Sequence, residues 1–232
     1  MVSDLSVKKV SFEELRLGRM PRILRTAFLA LAKERFLTKD GWYLAGGTAL
    51  ALQIGHRQSR DLDFFNPQKT FEIIKLERQL LKTERWITSF RDVNTLYGKF
   101  LGAKTSFIAY PFFVPSKQRF RCQNLEMLLP EDIAAMKIIA ISQRGRKRDF
   151  VDLYWYVLNE KPLFEIIRRA TKQYPGQENN VSHILGSLVY FNDAEEDPMP
   201  KVFFKASWQQ IKKYFRREVP RIARQLLGLN RK

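Results

Sequence analysis

Cysteine and histidine are almost missing from this chain. Its 232 residues hold one cysteine, Cys122, and two histidines, His56 and His183. That scarcity excludes a disulfide scaffold, a cysteine-cluster metal site and a histidine-rich zinc centre. No apolar run approaches the roughly 20 residues that cross a bilayer, so no membrane partner is expected. The start, Met1-Val-Ser-Asp-Leu-Ser, lacks the apolar stretch of a signal peptide, and a cytoplasmic protein is expected. Internal repeats and low-complexity tracts are absent as well. Acid is in short supply: 24 Asp+Glu stand against 41 Lys+Arg, a formal net charge of +17. An excess of that size points to a polyanionic partner, and nucleic acid is the usual one.

What is present is enough to fold. Hydrophobic residues make up 45% and aromatics 13%, with 18 Phe, so the chain can bury a core that offsets its ordering entropy. The length fits one large domain or two small ones. Ser11-Phe-Glu-Glu14 has the form of a capping box, and Ile23, Leu24, Ala27, Phe28 and Leu31 follow at helical spacing. Pro21 is expected to start or kink that helix. Trp42-Tyr-Leu-Ala45 is a short apolar run closed by Gly46-Gly47, a buried strand entering a tight turn, with Thr48 as cap of the helix after it. Residues 61–65 alternate as a strand does, 70–82 read as a helix, and 85–90, 95–101 and 104–110 read as strands. Pro130 opens an apolar helix over 131–141, and helices are expected at 148–158, 162–173, 181–190 and 205–227. The class is therefore α+β: a mixed α/β domain over 1–125, then a helical domain over 126–232 with a basic C-terminal tail.

Charge is distributed unevenly. Residues 201–232 carry ten basic residues and one acid, Glu218. Lys212, Lys213, Arg216 and Arg217 lie there, and Arg144, Arg146 and Lys147 form a second cluster. Both are candidate nucleic-acid contacts, because a run of one sign repels itself and a phosphate backbone relieves that. In the tail, Phe204, Trp208, Ile211 and Phe215 follow helical spacing and should dock the helix, leaving its lysines and arginines outward. The acidic, proline-bearing stretch Asp193 to Pro200 reads as a loop or linker.

The chemistry concentrates between residues 44 and 65. Side chains two apart on a strand face one way, so Asp61 and Asp63 project together while Leu62 and Phe64 point into the core. Two carboxylates on one face suit a hard cation such as Mg²⁺, which shares its oxygen ligands with substrate phosphates. The Gly46-Gly47 turn, with the helix N-terminus behind it, offers backbone N–H groups to an anion. His56, Arg57 and Arg60 follow, open between ordinary loop surface and phosphate contact. Later, Lys137 lies on an apolar helix, where an ammonium can neutralise a triphosphate, and Asp149 and Asp152 share one helix face.

Gly46-Gly-Thr-Ala-Leu50, followed by His56-Arg-Gln-Ser-Arg-Asp-Leu-Asp-Phe-Phe65, resembles the first motif of the AbiEii/AbiGii toxin family, within the nucleotidyltransferase superfamily. Asp132 to Lys137 is similar to that family's D-x₄-K motif, and Arg148-Asp-Phe-Val-Asp-Leu-Tyr154 to its R/K-D-F-x-D-L-Y motif. The resemblance implies a polymerase-beta-like minimal nucleotidyltransferase sheet flanked by helices, and Mg²⁺-dependent nucleotide transfer. It also implies a toxin silenced by a transcriptional-regulator antitoxin, with an RNA acceptor, the tRNA 3′ end in some members. On that reading Asp61 and Asp63 hold the metal, and Gly46, Gly47, Thr48, Arg57, Ser59 and Lys137 hold the nucleoside triphosphate. Asp149 and Asp152 then become candidates for the base. The sequence departs from the superfamily at one place: residues 102–110 carry no acid where a third carboxylate is expected. That departure keeps two alternatives open, a nucleic-acid-binding protein of this fold without chemistry, and transfer to a small molecule.

Overall fold

Among the described residues, eight strands form one mixed sheet, and their apolar–polar alternation explains its two faces. The computed structural model describes residues 6–176 and 180–226. It divides into two units, Met1–Ile133 and Ala134–Lys232. In the first unit, β1 (Ser6–Lys9) precedes α1 (Arg22–Leu31) and α2 (Arg35–Lys39). Then come β2 (Tyr43–Ala45), α3 (Gly46–Ile54), β3 (Asp61–Asn66) and α4 (Ile73–Leu81). The remaining strands are β4 (Trp86–Asp92), β5 (Thr95–Phe100), β6 (Ala103–Ala109), β7 (Gln118–Cys122) and β8 (Leu125–Met127). Their order across the sheet is β1-β7-β8-β2-β3-β6-β5-β4. β3 thus sits inside the sheet, antiparallel to β2 and parallel to β6.

Helix α1 behaves as its spacing predicts. Leu24, Ala27, Phe28 and Leu31 are buried, and the helix packs on β3 and β6. Pro21 is its N-cap residue, so the proline starts the helix rather than kinking it. The segment at Ser11 differs from expectation. The Ser11 N–H donates to Glu14 Oε2 at 2.6 Å as a capping box would, yet only a turn follows, because no apolar periodicity continues it before Pro21. Beneath the sheet, Phe64 stacks on Phe107 at 4.9 Å between ring centroids, and Trp42 and Trp86 both meet Phe107 edge-on. That aromatic cluster holds β3 against its neighbours. Asp92 closes β4 at the edge of the sheet, and its carboxylate accepts the Val93 N–H.

Helices make up the second unit. α5 (Pro130–Arg144) begins in the first unit; α6 (Lys147–Asn159), α7 (Leu163–Gln173), α8 (Val181–Ser187), α9 (Asn192–Glu195) and α10 (Trp208–Leu226) follow. Phe150 anchors their core, with Phe191, Trp208 and Phe215 packed around it. Trp208, Ile211 and Phe215 dock α10 as the spacing predicts, although the helix starts at Trp208 rather than at 205. Leu158 is exposed at the end of α6. Residues 193–200 are not a free linker. Asp197 pairs with Arg146 at 2.6 Å and Glu195 with Lys212 at 2.6 Å, so the acids tie basic residues into the unit. The tail residues from 227 onward lie outside the described residues.

Candidate active site

The glycine turn and the carboxylates meet because β2 and β3 are antiparallel neighbours. Their register pairs Ala45 with Asp63, so the residue that ends β2 sits beside the second carboxylate. The chain then turns at Gly46, whose φ of +68° an L side chain rarely adopts. A methyl group on Gly46 would lie 3.1 Å from Asp63 Oδ2, and one on Gly47 2.2 Å from Arg57 Nη2 and 3.4 Å from Ser59 Oγ. Backbone at the α3 N-terminus is therefore packed directly on Asp63, Arg57 and Ser59. Asp61 and Asp63 share the half-exposed face of β3 while Leu62 and Phe64 are buried, as the alternation predicts. Ser106, beside Asp63 on β6, donates from its hydroxyl to Asp63 Oδ1 at 2.7 Å and orients that carboxylate.

Several expectations change here. α3 starts at Gly46 with Ala45 as its N-cap residue, so Thr48 is not the cap. Thr48 is buried, and its hydroxyl donates to the Asp61 carbonyl, which ties α3 to β3. His56 and Arg57, at 1% and 4% exposure, are not loop surface. Arg57 Nη1 donates to the Gln58 carbonyl at 2.9 Å, holding the guanidinium over Gly47. No acid stands on β6; the residue in register with Asp63 is Ser106, and nothing local in the sequence marks it, since strand pairing alone brings it there. Gly47→Ala would push the Arg57 guanidinium aside. We expect it to lower nucleotide transfer by about 10²-fold, the usual consequence of a misplacement near 1 Å, with the fold retained because the obstructing group is a flexible side-chain end. Steady-state transfer of labelled nucleotide, beside a thermal melt, checks this.

The later motifs form a second cluster. Lys137 Nζ lies 2.5 Å from Asp149 Oδ1 and 2.8 Å from Asp152 Oδ2, and all three side chains are buried. The spacing of three on α6 turns both carboxylates to one face, as the sequence implies. Asp132, which opens the D-x₄-K motif, accepts from the Ser116 N–H at 2.9 Å and from its hydroxyl at 2.7 Å.

The basic candidates divide. Lys147 is buried, and its ammonium donates to the Glu195 and Asp197 carbonyls. Lys212 is buried too, paired with Glu195 and set over the Trp208 ring. Hydrogen bonds from Lys212 and Trp208 hold the Glu195 carboxyl below the usual carboxylate range. Lys147 and Lys212 are thus corrected from outward contacts to internal ones: on one the acidic stretch folds back, and the other faces it. Arg144, Arg146, Lys213, Arg216 and Arg217 are exposed, Arg146 paired with Asp197 and Arg217 with Glu218.

The AbiEii profile, described as nucleotidyl transferase AbiEii toxin of a type IV toxin–antitoxin system, matches residues 29–95 and 107–227. The chain belongs to the AbiEii family. It is a nucleotidyltransferase of that toxin family, and the match spans both units. An uncharacterized Aquifex aeolicus protein is 35% identical over 184 residues, covering 78% of this chain and 87% of its own. A Helicobacter pylori crystal structure assigned as a nucleotidyltransferase aligns with TM-score 0.50 at 17% identity, over 91% of this chain and 99% of that one, and supports the fold. MenT4, a nucleotidyltransferase toxin of Mycobacterium tuberculosis, aligns with TM-score 0.47 at 15% identity, over 86% of this chain and 87% of its own. Among the described residues, no helix is long and apolar enough to cross a membrane.

Proposed function

We propose that this AbiEii chain transfers a nucleotide from a nucleoside triphosphate to an RNA hydroxyl, the tRNA 3′ end being the acceptor that the family resemblance favours. One observation carries the reading: Asp63, Arg57 and Ser59 pack on the same two glycines at the start of α3. That arrangement sets anion-binding groups beside a carboxylate pair, as triphosphate chemistry requires. Asp61 and Asp63 are oxygen donors on one half-exposed face and fit a hard divalent cation. Held there, Mg²⁺ would align the triphosphate and stabilise charge on its bridging and leaving oxygens. The protein's own residues do the rest of the binding. The α3 N–H groups and the Arg57 guanidinium receive phosphate oxygens, Ser59 adds a hydroxyl, and Ser106 keeps the Asp63 carboxylate turned toward them. The acceptor hydroxyl then releases its proton to solvent while its oxygen bonds to the α-phosphorus and pyrophosphate leaves.

Incubation with labelled nucleoside triphosphates, Mg²⁺ and total RNA tests this. Label should appear in RNA; label only in a small molecule, or none, overturns the reading. The exposed face of α10 is the proposed RNA surface of the second unit, now without Lys212. Changing Lys213, Arg216, Arg217 and Arg224 together to Gln should weaken RNA binding and flatten its salt dependence by about 0.7 log units per lost phosphate contact. Unchanged affinity and slope in a filter-binding titration would move the RNA surface to Arg144 and Arg146. Type IV toxin–antitoxin membership also argues for a cognate antitoxin of the transcriptional-regulator kind.

A further inference from the structure

Strand register extends the carboxylate face of β3 outward to the edge of the sheet. Asp63 is paired with Ser106 on β6, Ser106 with Tyr97 on β5, and Tyr97 with Phe90 on β4. One step along the strands, Asp61 is paired with Lys104, Lys104 with Lys99, and Lys99 with Ile87. Directly opposed residues point to the same side of a sheet, so these two rows share the face that bears Asp61 and Asp63. The opposite face of β5 is closed, with Leu96, Gly98 and Phe100 buried. Ser106, next to Asp63, is buried, but the outer parts of both rows are open: Phe90 is 55% exposed, Tyr97 is 43% exposed, and Lys99 and Lys104 are exposed.

The placement of Phe90 depends on an irregularity. Simple alternation along β4 would put Ile87, Ser89 and Arg91 on one side and bury Phe90. The register shifts between Thr88 and Phe90, a bulge that brings Phe90 beside Tyr97, with ring centroids 6.2 Å apart. Bulges re-aim side chains in this way and are over-represented beside active sites. Here the bulge makes a pair of adjacent exposed rings on a sheet whose same face carries the candidate metal ligands. At about 4.8 Å between strands, the rings lie about 10 Å and about 14 Å across the sheet from Asp63.

We propose that this face of β4, β5 and β6 is the platform for the unpaired 3′ end of the acceptor strand, a reading that rests on the nucleotide transfer proposed above. Tyr97 and Phe90 stack successive bases, and Lys99 and Lys104 take the intervening phosphates. Bare aromatic rings flanked by lysines are the recurrent means of holding single-stranded nucleic acid without reading its sequence. The charge decides the occupant. An apolar protein surface would meet the same rings, but the two lysines between them and Asp61 favour a polyanion, and the two rows end at the carboxylates where a 3′ hydroxyl must arrive.

The test uses the full chain and two readouts. In the first, a fluorescent single-stranded RNA oligomer is titrated against the wild type and against Phe90→Ala/Tyr97→Ala, with no nucleotide present. In the second, KM for an RNA with an unpaired 3′ tail and KM for the triphosphate are measured for the same pair. The double variant should bind the oligomer at least tenfold more weakly and raise the RNA KM similarly, with the triphosphate KM and melting temperature unchanged. Phe90→Tyr/Tyr97→Phe should restore both, because the rings are kept. Oligomer affinity and RNA KM unmoved by the alanines overturn the platform, and a protein partner captured only by the wild type while RNA binding is unaffected does so too. A wild type that binds the oligomer through its aromatics yet transfers nothing leaves the platform standing and removes the transfer reading instead.

Discussion

Asp63→Asn is expected to lower nucleotide transfer by at least about 10²–10³ and to leave the protein folded. The side chain is half-exposed on β3, and its replacement has the same shape. The asparagine oxygen can still accept the Ser106 hydroxyl that now meets Asp63 Oδ1 at 2.7 Å. What disappears is the negative charge on the carboxylate that faces Gly46, and with it the donor set for a divalent cation. Removing one preorganised electrostatic element commonly costs about 10²–10³ in rate, and with only two carboxylates on this strand the loss should reach at least that range. Asp61→Asn should fall by a comparable factor. The check is transfer of labelled nucleotide to RNA, run beside a thermal melt and a titration of triphosphate without metal. Near-normal transfer by Asp63→Asn would remove the carboxylate pair of β3 from the mechanism.

The site's first half was legible because its determinants are local. Alternation over residues 61–65 orients both carboxylates, and a glycine pair after an apolar run announces the turn. Each is a property of a few consecutive residues, and each reappears in the structure. Ser106 was not legible, because it reaches Asp63 only through β3–β6 pairing. The same cause hid β1, β7 and β8. They are short, and β1 is mostly exposed with two lysines, so no alternation marks them; sheet partners define them. In the sequence Lys147 and Lys212 have the pattern of surface residues, because a basic run looks alike whether it is solvated or folded against acid. Glu195 and Asp197 are distant in sequence from the lysines they engage, and only α9 brings them back. Local patterning predicted the turn and the strand face; long-range pairing decided which charges are available to a partner.

Lys137→Met should lower unfolding free energy by about 3–5 kcal/mol, the characteristic loss when one partner of a buried ion cluster is removed. The Lys137 ammonium lies 2.5 Å from Asp149 and 2.8 Å from Asp152, with side-chain exposures of 8%, 5% and 0%. Without it, two carboxylates of α6 face each other away from water. This geometry also bears on the role the family resemblance gives the lysine. The single ammonium is already engaged by two carboxylates of α6. We propose that the three residues pin α6 against α5, the triphosphate and base roles implied by the family resemblance being the alternative. Full neutralisation discriminates between the roles: Lys137→Met/Asp149→Leu/Asp152→Leu replaces every charge with an apolar side chain of similar size, and replacing a whole buried cluster in this way is often nearly neutral. The triple variant should recover most of the lost stability in a denaturant titration and keep transfer within about tenfold of the wild type. Wild-type stability together with a loss of transfer beyond about 10²-fold, the scale expected of general acid–base or electrostatic groups, would return Lys137, Asp149 and Asp152 to the chemistry itself.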